Sequence, residues 1–534
     1  MEISFFGGDI RFCRHCRCWD VPELTRLIVE GIDGHDPDTN HWQSQLQHIT
    51  LARLALTCQK ISGTSLDVLW EEHYGYVNLL KALPAQKYRL SDNILTIIEP
   101  KLELEDWDRV LSYSRRIKTF SDVDYREGCP VPDMSVLESM TRSLPAGALL
   151  PHVRHLFCSS SSPLLSLLPS LIGARVSSIM IELTSCSWRF SAVQKLALPC
   201  LTSVTIVSDG GEEGEAVVTK LISDFVRCES LLRDVDRLNF STLRHSSNLK
   251  HLEHLDTEVI TGDLFCSRED MSVEQPFPAL LTLSLRTPYP PLLAKVVEIT
   301  TSPLLKQMWL YASNLSLTFD PTILLSSIGA RSSSHRLTSL IIALGCNLSV
   351  LNWGEHQFCT LSALALKPLL ALSNLSQMEL YYPGLCPLDD AFVESMARAW
   401  PGIQKLHIEC QYDITATTSP TMQSLVSLSQ HCPLLVYLRL DVDATEIPSA
   451  RLPAQRRALH RKFSSWEVRL APIESAHKIA TFLSAIFPRL QMICYSSSSR
   501  KEWDEVNRLI SAFAEIRADE RYLIVHNGLP KNAD

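Results

Sequence analysis

The chain has 534 residues, of which 46% are hydrophobic and 20% charged, and its formal net charge is -9. This length exceeds what one compact core organises, so several domains or an array of repeats is expected. General nucleic-acid binders carry a basic domain or stripe, so this mild negative charge argues against a nucleic-acid partner. The start MEISFFGGDI lacks a secretory signal, and no apolar stretch reaches membrane-spanning length. We therefore expect an intracellular protein, cytoplasmic or nuclear, with no membrane partner and with cysteines that are mainly buried thiols.

Residues 1–18 are predicted to form a disordered tail. This segment contains Cys13, His15, Cys16 and Cys18, which are crowded together. Structural zinc usually takes two ligand pairs separated by a dozen or more residues, and no second pair is evident. We therefore expect no metal site here, and no cofactor in the chain.

Short helices are predicted over residues 19–84. The first begins near Pro22, because proline is tolerated in a first helical turn, and it places Leu24, Leu27 and Ile28 on one face. A polar loop of about residues 33–47 follows. The second helix is predicted from about His48, with one face formed by Leu51, Leu54, Ala55, Cys58 and Ile61. The third contains Leu66, Leu69 and Trp70.

Four runs in this region, PELTRLIVEGI, LARLALTCQKIS, SLDVLWEE and NLLKALP, resemble the F-box. The similarity is greatest to the F-box of leucine-repeat proteins of basidiomycete fungi. Residues 113–120 also resemble the linker that such proteins carry before their first repeat. The long polar loop departs from this class, as does Ser65, where alanine is common. The resemblance implies a helical surface that docks on the Skp-type adaptor of a cullin-RING ubiquitin ligase.

Transferred residue by residue, the resemblance implies ten adaptor contacts. They are Pro22, Glu23, Leu24, Leu27, Ile28, Leu54, Cys58, Ile61, Leu69 and Trp70. Exposed aliphatic and aromatic anchors dominate protein interfaces, which favours Pro22 and Leu24 as contacts. For Leu54 and Leu69 we favour packing between the helices.

A helical linker is predicted over residues 85–148, followed by a solenoid over 149–525 and a tail over 526–534. In the solenoid one pattern recurs: an aliphatic residue, a second three positions later, and a third two beyond that. The clearest copies begin at Leu280, Leu305, Leu375, Ile403 and Leu435. Weaker copies begin at Val153, Val176, Leu201, Val235, Leu337 and Leu490. The longer gaps after Val235 and Leu435 indicate insertions or degenerate units.

Helices are predicted between the copies, at residues 388–400, 422–432 and 476–487, and proline then precedes a short strand. This order predicts an α/β fold of the leucine-rich-repeat-like solenoid class, with parallel strands on the concave face and helices on the convex face. A doubly wound α/β domain is the rival fold, but the chain lacks the glycine-rich phosphate motifs typical of it.

The outward strand positions are the predicted target-binding surface. The candidates there are Lys306, Gln377, Glu379, Lys405, His407, Tyr437 and Arg439. They carry both signs of charge, so the class of target stays open, and a solvated sheet face is the default for any one of them.

The sequence contains no catalytic motif of the G-x-S-x-G or H-E-x-x-H type, so we expect no enzyme. The acidic run of residues 209–215 is interpreted as a solvated insertion. The favoured function is substrate recognition in a Skp-cullin-F-box type ubiquitin ligase, with an unknown protein target. The alternatives are a leucine-rich-repeat scaffold without a ligase role and an enzyme with a deep polar pocket.

Overall fold

A computed structural model describes residues 21–33, 41–57, 59–98, 102–122, 131–145, 147–159, 167, 171–183, 200–208, 234–238, 249–258, 276–313, 319–330, 336–345, 360–411, 419–448, 462–468, 473–495 and 500–526. The predicted tail of residues 1–18, Cys58 and the acidic run of residues 209–215 lie outside the described residues. The chain divides into two compact units, Met1–Val217 and Val218–Asp534.

The first unit begins with three helices, α1 (Pro22–Asp33), α2 (His41–Thr57) and α3 (Gln59–Leu69). Their shared core consists of buried aliphatic side chains: Val29, Leu51, Ile61 and Val68. The first helix begins at Pro22 as predicted. The second begins at His41, so part of the predicted polar loop is helical. It ends at Thr57, and Ile61 lies on α3, where it shares the core with Leu51 as the predicted grouping of these two residues implies.

The remainder of the first unit mixes short helices with strands. The helices are α4 (Val77–Leu80), α5 (Asp108–Ser114) and α6 (Met134–Ser143), with a 3-10 turn at Leu104–Trp107. The strands are β1 (Glu72–Tyr74), β2 (Tyr88–Ser91), β3 (Ile94–Ile97), β4 (Thr119–Ser121), β5 (Val131–Pro132), β6 (His155–Ser159), β7 (Ser178–Leu183) and β8 (Ser203–Ser208). A parallel sheet has the order β1-β4-β6-β7-β8, and a small second sheet has the order β2-β3-β5.

Strands β1, β2 and β3 modify the predicted domain plan. Strand β1 lies within residues 19–84, and it pairs in parallel with β4, so the repeat sheet begins earlier than the sequence suggests. The predicted helical linker contains the antiparallel hairpin of β2 and β3 beside its helices. The predicted domain boundaries therefore cut across elements that are hydrogen-bonded to one another.

The second unit is built from parallel strands and helices in alternation. The strands are β9 (Asp234–Leu238), β10 (His254–Glu258), β11 (Thr282–Thr287), β12 (Gln307–Ala312), β13 (Ser339–Leu344), β14 (Gln377–Leu385), β15 (Lys405–Gln411), β16 (Tyr437–Arg439), β17 (Ser465–Val468) and β18 (Met492–Tyr495). The helices are α7 (Pro290–Ile299), α8 (Thr322–Gly329), α9 (Ala363–Leu366), α10 (Asp390–Ala399), α11 (Met422–His431), α12 (Ala476–Ile486) and α13 (Arg500–His526). The strands follow one another in chain order across the sheet.

The recurring aliphatic pattern forms the inner side of this sheet. Alternate strand residues are buried between strands and helices, for example Leu283, Leu285, Met308, Leu310, Met378 and Leu380. Burying one such side chain contributes about 1.5–3 kcal/mol, so each strand is held mainly by two or three inward residues. The predicted class, a leucine-rich-repeat-like solenoid with parallel strands and a layer of helices, is confirmed.

The two long gaps between repeats contain degenerate units. After β9, strand β10 places Thr257 where other units have an aliphatic residue, and this threonine is fully buried. After β16, strand β17 uses Phe463 and Trp466 in place of the aliphatic residues, and both are also buried. Both strands pair with their neighbours on each side, so the strand row continues through each gap.

Adjacent repeats are also connected through the helix layer. The Asp389 carboxylate caps its own helix α10 by accepting from the Phe392 N–H at 2.7 Å. Its neighbour Asp390 instead accepts from the backbone N–H and the hydroxyl of Thr421, at 2.8 and 2.7 Å. Because Thr421 is the N-cap of α11, Asp390 links the start of one helix to the start of the next.

The last strand is covered by a side chain of the long C-terminal helix. The Asn507 amide accepts from the Ile493 N–H and donates to the Ile493 carbonyl, both at 2.8 Å. Trp503 of the same helix packs edge-on against Trp466, with ring centroids 5.5 Å apart. Helix α13 thus provides hydrogen-bond partners for backbone groups of β18 that point away from the neighbouring strand β17.

We expect Asn507→Ala to lower the free energy of unfolding by about 1–3 kcal/mol, because it leaves a strand N–H and carbonyl without their partner. Urea denaturation followed by circular dichroism measures this loss. Arg508→Ala, on the exposed side of the same helix, is the control and should change stability by less than about 0.5 kcal/mol. Equal stability of the two variants would show that the amide contacts contribute little.

Candidate protein-binding surfaces

Helix α1 exposes most of its apolar face. Leu24, Leu27 and Ile28 are 45%, 64% and 41% exposed, whereas Thr25 and Val29 on the adjoining side are buried at 2% and 0%. The helix therefore needs only a narrow face to pack against α2 and α3. Its remaining apolar residues form a surface that water contacts in the isolated chain, and exposed apolar surfaces of this kind mark protein contacts.

The other predicted adaptor residues divide into exposed and packed groups. Pro22 and Glu23 are exposed next to Leu24, on the first turn of α1. Ile61 is almost fully buried in the three-helix core, so it is not a surface contact as the resemblance implied. Leu54 and Leu69 are partly buried against the same core, in agreement with the packing interpretation.

Trp70 packs at the junction between the helices and the repeats. Its ring stacks on Tyr113 with centroids 4.7 Å apart and planes 12° apart, and on His73 at 4.9 Å. It also lines a shallow, largely apolar cavity together with His48 and Tyr74. The structure thus shows Trp70 holding α3 against the first repeat, a role that the resemblance does not include.

The second predicted surface is the outward side of the sheet in the second unit. Strand pairing places Trp309, Ile341, Glu379, His407 and Arg439 next to one another on successive strands. A parallel row, also set by the pairing register, contains Gln307, Ser339, Gln377, Lys405 and Tyr437. Six of the seven predicted target-binding residues therefore lie on one face and in adjacent positions.

Lys306 is the exception. It is exposed, but it directly precedes β12, and the outward positions of that strand are Gln307, Trp309 and Tyr311. Its backbone carbonyl accepts from the Thr338 and Ser339 N–H groups of the next repeat, at 2.8 and 3.1 Å. The alternation of a strand sends neighbouring residues to opposite faces, so the sequence prediction for Lys306 was off by one position.

A network of ion pairs and hydrogen bonds covers the outward side of β14 and β15. The buried Glu379 carboxylate binds Lys405 Nζ at 2.6 Å and accepts from the Tyr381 hydroxyl at 2.6 Å. The buried Glu409 lies 2.8 Å from Arg439 Nη2 and 3.3 Å from His407 Nε2. Each buried carboxylate thus has a cationic partner, as burial of a charge requires.

The same network continues onto β16 and β17. Arg439 bridges Glu409 to Glu467, and the Tyr437 hydroxyl donates to Glu467 at 2.5 Å. The His407 ring lies between Tyr381 and Tyr437, at centroid distances of 4.4 and 6.0 Å. Long side chains that are mobile on most surfaces are therefore held in one arrangement here.

The network perturbs three titrations. Burial alone would raise the pKa of Glu379, but hydrogen bonds from Lys405, Tyr381 and Gln377 outweigh it and lower that pKa below its ordinary value. Burial and the bond to Glu379 raise the pKa of Tyr381, and burial and the bond to Glu467 raise that of Tyr437. Both tyrosines therefore stay protonated donors at neutral pH.

Sequence reasoning did not name several residues of this face, among them Trp309, Tyr311, Ile341, Tyr381, Glu409 and Glu467. The strand period of two predicts Trp309 and Tyr311 from Gln307, and Tyr381 and Glu409 from Glu379 and His407. Glu467 lies on β17, whose aromatic core residues hid it from the aliphatic pattern.

Two observations concern metal binding and nucleophilic groups in the described residues. Among them, no group of three or more histidine, cysteine or acidic side chains is arranged to hold a metal ion. Burial raises the pKa of the Cys432 thiol to about 12, which makes it a poor nucleophile. No helix in the described ranges is both long and apolar enough to cross a membrane.

The fold defines a leucine-rich-repeat-like protein, and comparison with known proteins does not narrow this class. No family model matches the chain, and no curated protein matches it significantly. Among solved structures, the complex of Rad7 and Elc1 in yeast is similar at 12% identity and a TM-score of 0.32, covering 75% of this chain and 92% of that one. The LRIM1/APL1C complex is similar at 10% identity and a TM-score of 0.26, covering 80% and 70%. Similarity at this level supports no functional argument.

We expect Lys405→Gln to make the protein unfold at a higher pH during acid titration. The folded pKa of Glu379 lies below its ordinary value of 4.5, so its ionised form stabilises the fold at neutral pH and this contribution is lost as pH falls through the lowered pKa. Without Lys405 that pKa rises, so the loss begins at a higher pH, and about 1–3 kcal/mol is lost near neutral pH. Circular dichroism against pH measures the shift.

The control for this titration is Lys367→Gln, which removes an exposed lysine on the helix side of the second unit. This variant should have the same acid midpoint as the wild-type protein. If Lys405→Gln has the same acid midpoint as the wild type, the ion pair with Glu379 does not set the titration of this carboxylate.

Proposed function

We propose that this protein is a substrate-recognition subunit of a Skp-cullin-F-box type ubiquitin ligase. In this role the three N-terminal helices dock on a Skp-type adaptor, and the repeats hold the target protein. The protein itself catalyses no reaction. It raises the local concentration of target lysines near the ubiquitin-charged enzyme that the ligase recruits.

The exposed apolar face of α1 is the observation that carries this proposal. The resemblance to the F-box identifies Pro22, Leu24, Leu27 and Ile28 as adaptor contacts, and all four are exposed. The side chains of Leu24, Leu27 and Ile28 are roughly half exposed, so burying each of them on a partner would contribute about 1 kcal/mol. An aliphatic surface of this kind on a helix is the usual anchor of a helix-based interface.

Contacts within the first unit support a fixed geometry for such a receptor. Arg116, which precedes β4, forms an ion pair with Asp67 of α3 and donates to the Gly63 carbonyl at 3.0 Å. Glu71 binds Lys118 at 2.7 Å and Arg26 of α1 at 3.3 Å. With the stacking of Trp70 on Tyr113, these bonds hold the three helices firmly against the first repeats.

The experiment is co-purification of the full-length protein with a co-expressed Skp-type adaptor. We expect the wild type to retain the adaptor and the double variant Leu24→Asp, Leu27→Asp to lose it, by at least about tenfold, because two carboxylates would be buried without partners. Both side chains are exposed, so the variant should keep its fold.

The matched control is Leu364→Asp, which places the same charge at a leucine that is 77% exposed on α9. It should retain the adaptor fully. Failure of the wild type to retain any adaptor would contradict the ligase role and favour the alternative, a leucine-rich-repeat scaffold without one. Point variants are preferable to deletion of residues 19–84, because that deletion also removes strand β1 of the repeat sheet.

A further inference from the structure

We infer that the outward face of β12–β17 binds a protein segment with two anchors, an apolar side chain and, about 20 Å away, a lysine or arginine. This inference rests on the proposed function only in taking the bound protein to be the target. The binding itself does not depend on the adaptor. Three features of the face lead to it: an apolar end, a surplus of negative charge at the other end, and side chains that are already ordered.

The apolar end is formed by Trp309, Tyr311 and Ile341, which are neighbours on β12 and β13 and are half-buried. They occupy outward positions, where polar residues such as Ser284 and Gln377 stand on the flanking strands. The indole N–H of Trp309 has no hydrogen-bond partner among the described residues. Tryptophan and tyrosine are the residues most enriched at the energetic centres of interfaces, so this end is suited to an aliphatic or aromatic side chain.

The opposite end carries a surplus of negative charge. The described outward positions of β14–β17 hold three carboxylates, Glu379, Glu409 and Glu467, but only two cations, Lys405 and Arg439. With His407 counted as neutral, carboxylates outnumber cations by one among these described positions. Both cations are already engaged inside the network, and Arg439 is shared between Glu409 and Glu467.

Glu467 is the most accessible of these carboxylates. Its side chain is 31% exposed, whereas those of Glu379 and Glu409 are nearly buried. The Tyr437 ring lies beside it, bonded through its hydroxyl, and already has the Lys405 ammonium 5.5 Å above its centroid. An incoming cation would meet a partly desolvated carboxylate, which favours lysine or arginine.

The distance between the two ends determines the spacing of the anchors. Trp309 and Glu467 lie in one row, on the first and last of six successive strands, and Ile341 lies one strand nearer to Glu467. Neighbouring strands are about 4.8 Å apart, so the apolar and charged ends are separated by about 19–24 Å. An extended segment, at about 3.3 Å per residue, spans this distance with six or seven residues.

The side chains between the two ends are already held in place by the ion pairs of the network. Binding therefore loses little rotamer entropy on this side of the interface, which is the usual advantage of a preorganised surface. An ordinary solvated sheet face, by contrast, carries mobile polar side chains, and it lacks both the apolar end and the surplus of negative charge found here.

The test is selection of a displayed library of random twelve-residue peptides on the full-length protein. We expect the enriched peptides to share an apolar residue and a lysine or arginine six or seven positions apart. Binding of one synthetic enriched peptide is then measured by fluorescence anisotropy. We expect Glu467→Gln to weaken it by about three- to tenfold and Trp309→Ala by about tenfold or more.

A matched variant separates this surface from other causes. Glu394→Gln makes the same charge change on the exposed side of helix α10 and should leave peptide affinity unchanged. Enriched peptides without a basic residue, or equal affinity for Glu467→Gln and the wild type, would overturn the inference. If Trp309→Ala fails to fold, Glu467→Gln at its part-exposed position still decides the outcome.

The same peptide also separates this inference from the proposed function. The Leu24→Asp, Leu27→Asp variant should bind it with wild-type affinity, because those residues lie in the first unit. If the wild-type protein bound the peptide but retained no adaptor, the result would support the surface and contradict the ligase role. If the protein retained the adaptor but enriched no peptide, the result would support the ligase role and contradict the proposed binding surface.

Discussion

From β10 to β18, each strand is joined to the next by one backbone carbonyl that accepts two N–H groups where the strand begins. The Gln404 carbonyl accepts from the Val436 and Tyr437 N–H groups at 2.8 and 3.1 Å. The Lys306 carbonyl accepts in the same way from the Thr338 and Ser339 N–H groups of the next repeat. Serine and threonine hydroxyls add a further donor at several steps, as Ser376 does to the Thr338 carbonyl at 2.9 Å. This junction sets the strand register, and the register brings outward residues from distant parts of the sequence into rows.

The candidate surface on the sheet depends on this backbone junction, whereas the candidate surface on α1 lies in a region that lacks it. On the sheet, residues that are about thirty positions apart in sequence become neighbours, so a polar network forms without any local motif. The three N-terminal helices have no such ladder and rely on a small core around Leu51 and Val68. Only a narrow side of α1 packs into that core. The other apolar residues of the helix stay exposed and are available to a partner.

The sequence predicted the repeat fold because its signal is periodic and because burial requires it. A recurring spacing of aliphatic residues at the inward positions, with proline before four of the five strands, was sufficient to place β11, β12 and β14–β16. Strands β10 and β17 were missed because Thr257, Phe463 and Trp466 fill the same inward positions with residues outside the aliphatic pattern. Ile61 was assigned to the adaptor surface through the resemblance, but it packs with Leu51 in the three-helix core. The pairing of Glu379 with Lys405 depends on register across strands, which composition and spacing do not encode.

The Asn507 side chain has a consequence for how many repeats the array contains. In a row of parallel strands, any strand at the end offers donors and acceptors to one more strand, from the same chain or from another molecule. At β18 the Asn507 amide occupies the Ile493 N–H and carbonyl, and thus takes the place that a further repeat would use. A single residue on a helix therefore occupies the central backbone groups of this edge and hinders its joining head to tail with a second copy. A chain lacking α13 would be expected to self-associate through this edge, with a tendency that rises with protein concentration.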